Sequence, residues 1–113
     1  IALWLAAADV MALPSASEGL ANAWLEALAC GTPIVITDVG GAREVLTDPR
    51  AGRLVEPTPD ALARALQDIL LRPPSPDICH ALATRFTWAK NAQALRDHLS
   101  ALAGERFADP LCT

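Results

Sequence analysis

Residues 10–37 read VMALPSASEGLANAWLEALACGTPIVIT, and this stretch decides the fold. A short apolar run, Val10–Leu13, enters a loop, and a second apolar run follows at Ile34–Thr37. Between them, Leu20–Cys30 has the composition of a helix, and Gly31 stands where helices commonly end. Short apolar strands that alternate with helices predict right-handed strand–helix–strand units and a parallel sheet.

The rest of the chain continues this alternation. Gly52–Val55 predicts a third short strand, and a helix is expected after Thr58, because Thr caps helices and Pro59 suits the first helical position. Further helices are expected at Ile1–Ala8 (amphipathic or buried), Ala42–Leu46, Asp77–Thr84 and Trp88–Leu102, the last capped by Thr87. The predicted fold class is α/β, a partial Rossmann-like three-layer domain with a short parallel sheet. Three strands are few for such a sheet, so we expect neighbouring strands in a longer protein to cover its edge.

Length, charge and hydropathy exclude several classes of protein. The chain has 113 residues, enough for one domain, and 52% of them are hydrophobic, which argues against disorder. The net charge of −4 and the pI near 4.9 argue against a nucleic-acid partner. The apolar stretch Ile1–Leu13 is short, contains Asp9 and lacks a basic leader, so we predict neither a signal peptide nor a membrane span. Because the first residue is Ile1, we expect the chain to be cut from a longer protein.

Cysteine usage favours a reducing compartment. The three cysteines, Cys30, Cys79 and Cys112, form no CxxC pair, which argues against a disulfide framework and against a zinc site. We therefore expect a cytoplasmic protein, and peripheral association with the inner face of the membrane stays open.

The predicted helix Leu20–Cys30 carries two polar side chains. Nine of its eleven residues are apolar, and the other two, Asn22 and Glu26, lie on one face because they are four residues apart. A helix that is apolar nearly all round is typically buried, and a buried carboxylate is costly unless something pairs with it. Two interpretations stay open. Either Glu26 faces water on a partly exposed helix, or Asn22 and Glu26 form a polar stripe aimed into a ligand crevice.

The loop before this helix favours the ligand crevice. Open α/β sheets bind ligands beyond the carboxyl ends of their strands, and this loop directly follows the first strand. The amino end of the helix presents unpaired N–H groups that suit a phosphate, and Gly19 lets the backbone approach a ligand closely. Glu18 stands at the same mouth, and carboxylates accept hydrogen bonds from sugar or ribose hydroxyls. Together these features predict that the crevice binds a sugar nucleotide.

Many residues at fixed spacing support this interpretation. They include an E-x7-E motif, formed by Glu18 and Glu26. The full set is Pro14-Ser15, Glu18-Gly19, Asn22, Leu25–Pro33, Thr37–Gly41, Glu44, Gly52, Leu54–Pro57 and Phe86–Trp88. In this pattern the chain resembles the group 1, or family 4, glycosyltransferases. The resemblance runs from residue 1 to about residue 100 and is most specific in residues 14–44.

The resemblance implies a GT-B architecture, in which two Rossmann-like domains face a cleft. Residues 1–103 would be the later part of the C-terminal, donor-binding domain, and residues 104–113 a tail. The implied reaction transfers a hexose-type sugar from a nucleotide-diphosphate sugar to an acceptor (a glycan, a lipid or a small molecule), with retention, without a metal and without a cofactor. The implied partner in cis is an N-terminal domain.

The resemblance also implies roles for individual residues. Glu18 would be the catalytic residue beside the donor sugar, and Glu26 would bind the ribose hydroxyls. Backbone N–H groups would hold the diphosphate. The donor-binding set is Gly19, Leu20, Ala21, Asn22 and Glu26.

Two alternatives stay open beside the transferase. One is a nucleotide-sugar 2-epimerase of the same architecture, and the other is a non-catalytic module that binds a nucleotide or a partner. The family places a basic pair on the diphosphate, which this chain does not supply, since Arg43 is expected to be a solvated surface charge. We therefore expect the chain alone to be inactive.

We expect structural roles for both histidines and for two of the tryptophans. His80 and His98 are expected on the surface or at a helix cap. Trp24 and Trp88 are expected in the core.

Overall fold

The computed structural model describes residues 1–103, and the predicted tail at residues 104–113 lies outside them. The described chain alternates helices and strands, as the sequence predicts. In chain order the elements are α1 (Ala2–Ala7), β1 (Met11–Leu13), α2 (Asn22–Ala29), β2 (Ile34–Thr37), α3 (Ala42–Val45), a 3₁₀ turn (Pro49–Ala51), β3 (Gly52–Val55), α4 (Pro59–Leu71), α5 (Pro76–Ala83) and α6 (Trp88–Ala103).

The three strands form one parallel sheet in the order β1-β2-β3. Met11 pairs with Ile34, and Ile34 pairs in turn with Gly52. All four residues of the central strand β2 are buried, which explains its unbroken apolar sequence. Gly52 is required where the strands meet, because a Cβ atom there would lie 2.1 Å from the Ile34 carbonyl oxygen. The predicted bounds of β2 and β3 are confirmed.

Helices cover both faces of the sheet, which confirms the three-layer α/β prediction. On one face α2, α3 and α5 bury a cluster around Trp24, Leu28 and Val45, and Leu5 of α1 packs against it. On the other face α4 packs Ala65 and Ile69 against Val35. The sheet therefore lies between two apolar layers.

The start and end of α2 have distinct causes. At its end Gly31 adopts a φ of +80° and donates to the Leu28 carbonyl oxygen at 2.9 Å, and Thr32 N–H donates to Ala27 O at 2.9 Å. This is the glycine stop that the sequence predicts. At its start the helix begins two residues later than expected, at Asn22, because Ala21 is extended and serves as the N-cap.

Helix α2 is buried on one face only, which agrees with the interpretation of a partly exposed helix. Trp24, Ala27 and Leu28 are fully buried, whereas Asn22 and Glu26 are exposed. Much of the apolar content of α2 is alanine, whose methyl group costs little in water, so composition overstated the burial. The Trp24 indole Nε1 is buried without a hydrogen-bond partner in the described part of the chain.

The two terminal helices are also less buried than the sequence indicates. Every residue of α1 and α6 is exposed or half-buried, so α1 is not a buried helix and Trp88, at 86% exposure, is not a core residue. Helix α6 extends a molecule whose principal extents are 55 × 26 × 23 Å. In residues 1–103, no helix has the length and apolarity needed to cross a bilayer.

Candidate functional site

The loop after β1 holds Glu18 in a defined position. The Ser15 hydroxyl donates to Glu18 Oε1 at 2.7 Å, and the carboxylate is half-buried. The Thr37 hydroxyl, at the end of β2, donates to the Ser15 carbonyl oxygen. The carboxyl ends of two neighbouring strands therefore fix the backbone and the side chain of this loop.

A glycine turn after β2 packs against the same loop. Gly40 has a φ of +50°, and a Cβ atom there would lie 2.1 Å from Glu18 O and 2.3 Å from Gly19 O. Gly41 N–H donates to Gly19 O at 2.7 Å. The two glycines therefore let the turn after β2 and the loop before α2 pack directly on each other.

The amino end of α2 is open to a ligand. Space is free around Gly19, where an added Cβ would meet no atom within 4 Å. Within residues 1–103 no side chain caps this end, so the N–H groups of the first turn keep the capacity to donate to a bound group. Asn22 is the first residue of the helix and lies at the same end.

A groove of about 810 Å³ runs between the start of α2 and the segment that joins α5 to α6. Its volume lies within the range of small-molecule sites, about 300–1,000 Å³. One wall is formed by Leu20, Asn22, Leu25 and Glu26, and the other by Arg85–Trp88, Lys90, Asn91 and Ala94.

The structure brings part of the predicted site together in this groove. Leu20, Asn22 and Glu26 line it, and Glu18, Gly19 and Ala21 lie in the loop that leads to it. Glu26 is exposed, in agreement with the interpretation that it faces water. It also lines the groove beside Asn22, in agreement with the interpretation that the two form a polar stripe along a ligand crevice.

The sequence reasoning missed the second wall of the groove. Arg85 donates to carbonyl oxygens at the end of α3, and its guanidinium lies 5.2 Å from the centre of the Phe86 ring. Lys90 Nζ donates to Thr84 O at 3.2 Å. Arg85 directly precedes the Phe86–Trp88 motif and Lys90 follows it by two residues, so this motif was the one available signal in the sequence.

Three charged or titratable side chains lie as expected outside the groove. Arg43 is 76% exposed and forms an ion pair with Asp38, and the hydrogen bonds that it donates to the Asp38 carboxylate raise the pKa of Arg43. His80 Nδ1 lies 2.9 Å from Ala29 O at the end of α2, and His98 is exposed. The expectations of a surface arginine and of surface or capping histidines are confirmed.

Residues 1–103 contain two cysteines. Cys30 and Cys79 are both free, and burial raises the pKa of the Cys79 thiol. In this part of the chain, no three His, Cys, Asp or Glu residues cluster in a way that could hold a metal ion.

Comparison with known proteins gives consistent results. The sequence model for "Glycosyl transferases group 1" matches residues 1–72. A D-inositol 3-phosphate glycosyltransferase from Paenarthrobacter aurescens is 36% identical over 110 residues, covering 92% of this chain and 27% of the relative. The corresponding protein of Saccharomonospora viridis is 41% identical over 97 residues, covering 80% of this chain and 22% of the relative.

A solved structure shows the same fold. The sucrose-phosphate synthase of Thermosynechococcus elongatus superimposes with a TM-score of 0.66 and 31% identity, over 88% of this chain and 27% of that protein. This likeness supports the expected GT-B fold for the part of the chain that it covers. The chain thus spans about a quarter of the length of the relatives it matches. Together with the family match over residues 1–72, these likenesses establish that this chain belongs to the group 1 glycosyltransferases.

Proposed function

We propose that the chain is the donor-binding part of a glycosyltransferase that transfers a hexose-type sugar from a nucleotide-diphosphate sugar to an acceptor. The observation that carries the proposal is the groove at the amino end of α2, where Asn22 and Glu26 line one wall. Polar side chains beside unpaired helix N–H groups suit a ligand that carries both hydroxyls and phosphates.

The nucleotide end of the ligand is assigned to α2. Glu26 accepts hydrogen bonds from the two ribose hydroxyls, and Asn22 adds a side-chain amide one turn earlier. The exposure of Glu26 supports this role, because its carboxylate is accessible to a ligand in the groove.

The diphosphate is assigned to the backbone N–H groups of Gly19, Leu20 and Ala21. The open space around Gly19 supports a close approach of phosphate oxygens to the main chain. The positive end of the α2 dipole adds a favourable interaction with the anion.

The donor sugar is assigned to Glu18, as the catalytic residue that contacts the sugar hydroxyls. Its hydrogen bond from Ser15 supports this role, because a carboxylate fixed in advance loses less entropy when it binds. The protein contributes by positioning the sugar and by stabilising the departing nucleoside diphosphate.

The rest of the reaction is assigned to an N-terminal domain in cis, which supplies the basic diphosphate contacts and the acceptor site. The chain covers 27% of its relative from P. aurescens, which supports a larger whole. The exposed apolar side chains of Trp4 and Trp88 support further packing partners. Retention and metal and cofactor independence are proposed from the family resemblance, and a cytoplasmic location is proposed from the cysteine usage.

The proposal can be tested on the 113-residue chain. The ¹⁵N-labelled protein is titrated with UDP and with GDP, and amide shifts are followed by NMR. We expect dissociation constants on the order of millimolar, because the basic contacts are absent, with the largest shifts in residues 19–26. Removal of the carboxylate in Glu26→Ala weakens binding about tenfold, as expected for hydrogen bonds to a charged group.

Asp9→Ala is the matched control, because this exposed carboxylate precedes β1 and so lies toward the amino end of that strand, whereas the site lies beyond its carboxyl end. We expect its affinity to equal that of the wild type. The proposal is overturned if neither nucleotide shifts residues 19–26, or if Glu26→Ala binds both as well as the wild type does.

A further inference from the structure

Arg85 connects two elements that are distant in sequence. Its guanidinium donates to Glu44 O at 3.0 Å and to Val45 O at 2.9 Å, near the carboxyl end of α3. Its Nε donates to Leu82 O at 3.3 Å in α5. The last carbonyl groups of a helix lack partners within the helix, so an arginine that satisfies them holds the helix end in place.

Both sides of this connection reach the groove. On one side α3 begins directly after Gly40-Gly41, the turn that packs on the backbone of Glu18 and Gly19. On the other side Arg85 is followed by Phe86, whose half-buried ring packs against the main core and lies beneath the guanidinium. Arg85 therefore links the loop that holds Glu18 to the groove wall that faces Glu26.

We propose that Arg85 is a positioning residue that sets the separation between the two walls of the groove. This inference rests on the proposed function, since it concerns the same nucleotide site. Nη2 and Nε of Arg85 donate to main-chain carbonyls, so we assign its effect to the wall that it holds and not to a direct contact with the ligand. Lysine carries the charge but lacks the planar fork of donors, so it can satisfy only part of this arrangement.

The test compares Arg85→Ala and Arg85→Lys in the same UDP and GDP titrations, on the folded protein at low temperature. We expect Arg85→Ala to weaken binding about fivefold. This loss corresponds to about one hydrogen bond that no longer holds the groove wall in place. Arg85→Lys is expected to restore part of the affinity. Without ligand, Arg85→Ala is expected to shift the amides of residues 44–46 and 86–88.

The matched control is Arg64→Ala, an exposed arginine on α4 at the other face of the sheet, which should bind like the wild type. Unchanged affinity in Arg85→Ala, together with weakened binding in Glu26→Ala, overturns this inference and leaves the proposed function standing. Equal loss in Arg85→Lys and Arg85→Ala without ligand-free shifts also overturns it, because a directly contacting residue would behave in that way. If Glu26→Ala has no effect, the proposed function fails, and this inference fails with it.

Discussion

At the scale of single residues, two glycines near the site have opposite surroundings. Gly40 has a positive φ, and its missing Cβ leaves room for the Glu18 and Gly19 backbone. Gly19 faces open space. The same substitution should therefore harm stability at one position and ligand binding at the other.

Gly40→Ala is expected to lower the free energy of unfolding by about 2–4 kcal/mol, from the unfavourable φ and the clash with the loop backbone. Gly19→Ala is expected to change it by less than about 1 kcal/mol and to weaken nucleotide binding. Urea denaturation measures the free energy of unfolding of both variants. A Gly40→Ala protein as stable as the wild type would contradict the packing described for the glycine turn.

The partly exposed ion pairs of Asp68 with Arg53 and Arg72 predict how stability depends on pH. Hydrogen bonds from Arg53 and Arg72 lower the pKa of Asp68, so the unfolded chain binds the proton more readily than the folded protein. The ion pairs of Asp68 therefore stabilise the fold fully above the unfolded-state pKa of aspartate, about 4. This stabilisation is lost as the pH falls through the lower folded-state pKa of Asp68.

We expect Asp68→Asn to melt at a lower temperature than the wild type at pH 7, and the difference to shrink as the pH falls below about 4. Thermal unfolding followed by circular dichroism at several pH values measures this. The control is Asp9→Asn, an exposed carboxylate that makes no ion pair within residues 1–103. A difference that grows toward low pH would refute the assignment.

At the scale of elements, a threonine hydroxyl caps both α4, which packs against the sheet, and α6, which has no buried residue. The Thr58 hydroxyl accepts from Ala61 N–H at 3.3 Å at the start of α4, and the Thr87 hydroxyl accepts from Lys90 N–H at 3.2 Å at the start of α6. Helix α4 buries Ala65 and Ile69 against the sheet, whereas every residue of α6 is exposed or half-buried. The cap of α4 is therefore coupled to the global fold more strongly than the cap of α6.

Thr58→Ala is expected to lower the global free energy of unfolding by about 1 kcal/mol. Thr87→Ala is expected to leave it nearly unchanged and to speed hydrogen exchange in α6 alone, because a helix with few buried contacts opens locally. Urea denaturation and hydrogen–deuterium exchange separate the two effects. Equal global destabilisation by both variants would show that α6 unfolds together with the core.

At the scale of the whole molecule, exposed apolar side chains are concentrated on the terminal helices. Trp4 is 82% exposed on α1, and α6 exposes Trp88 together with Leu95, Leu99 and Leu102. The sheet is narrow, and its edge strand β1 pairs with β2 alone among the described strands. Such surfaces favour association when nothing covers them.

We expect the isolated chain to self-associate as its concentration rises, which sedimentation velocity will detect. The triple variant Leu95→Ser, Leu99→Ser and Leu102→Ser should associate less and keep the melting temperature of the core. A wild-type chain that stays monomeric at high concentration would contradict this expectation.

The sequence by itself determined the α/β class, the bounds of β2 and β3, the glycine stop of α2 and the Thr58 cap. These features follow from signals between neighbours: apolar runs, capping residues and the backbone preferences of glycine and proline. Only the tertiary structure decided that Glu26 is exposed, that α6 lies outside the core and that Arg85 stands in the wall opposite α2. Exposure depends on which surfaces other segments cover, and the two groove walls are some sixty residues apart in sequence, so no local pattern relates them.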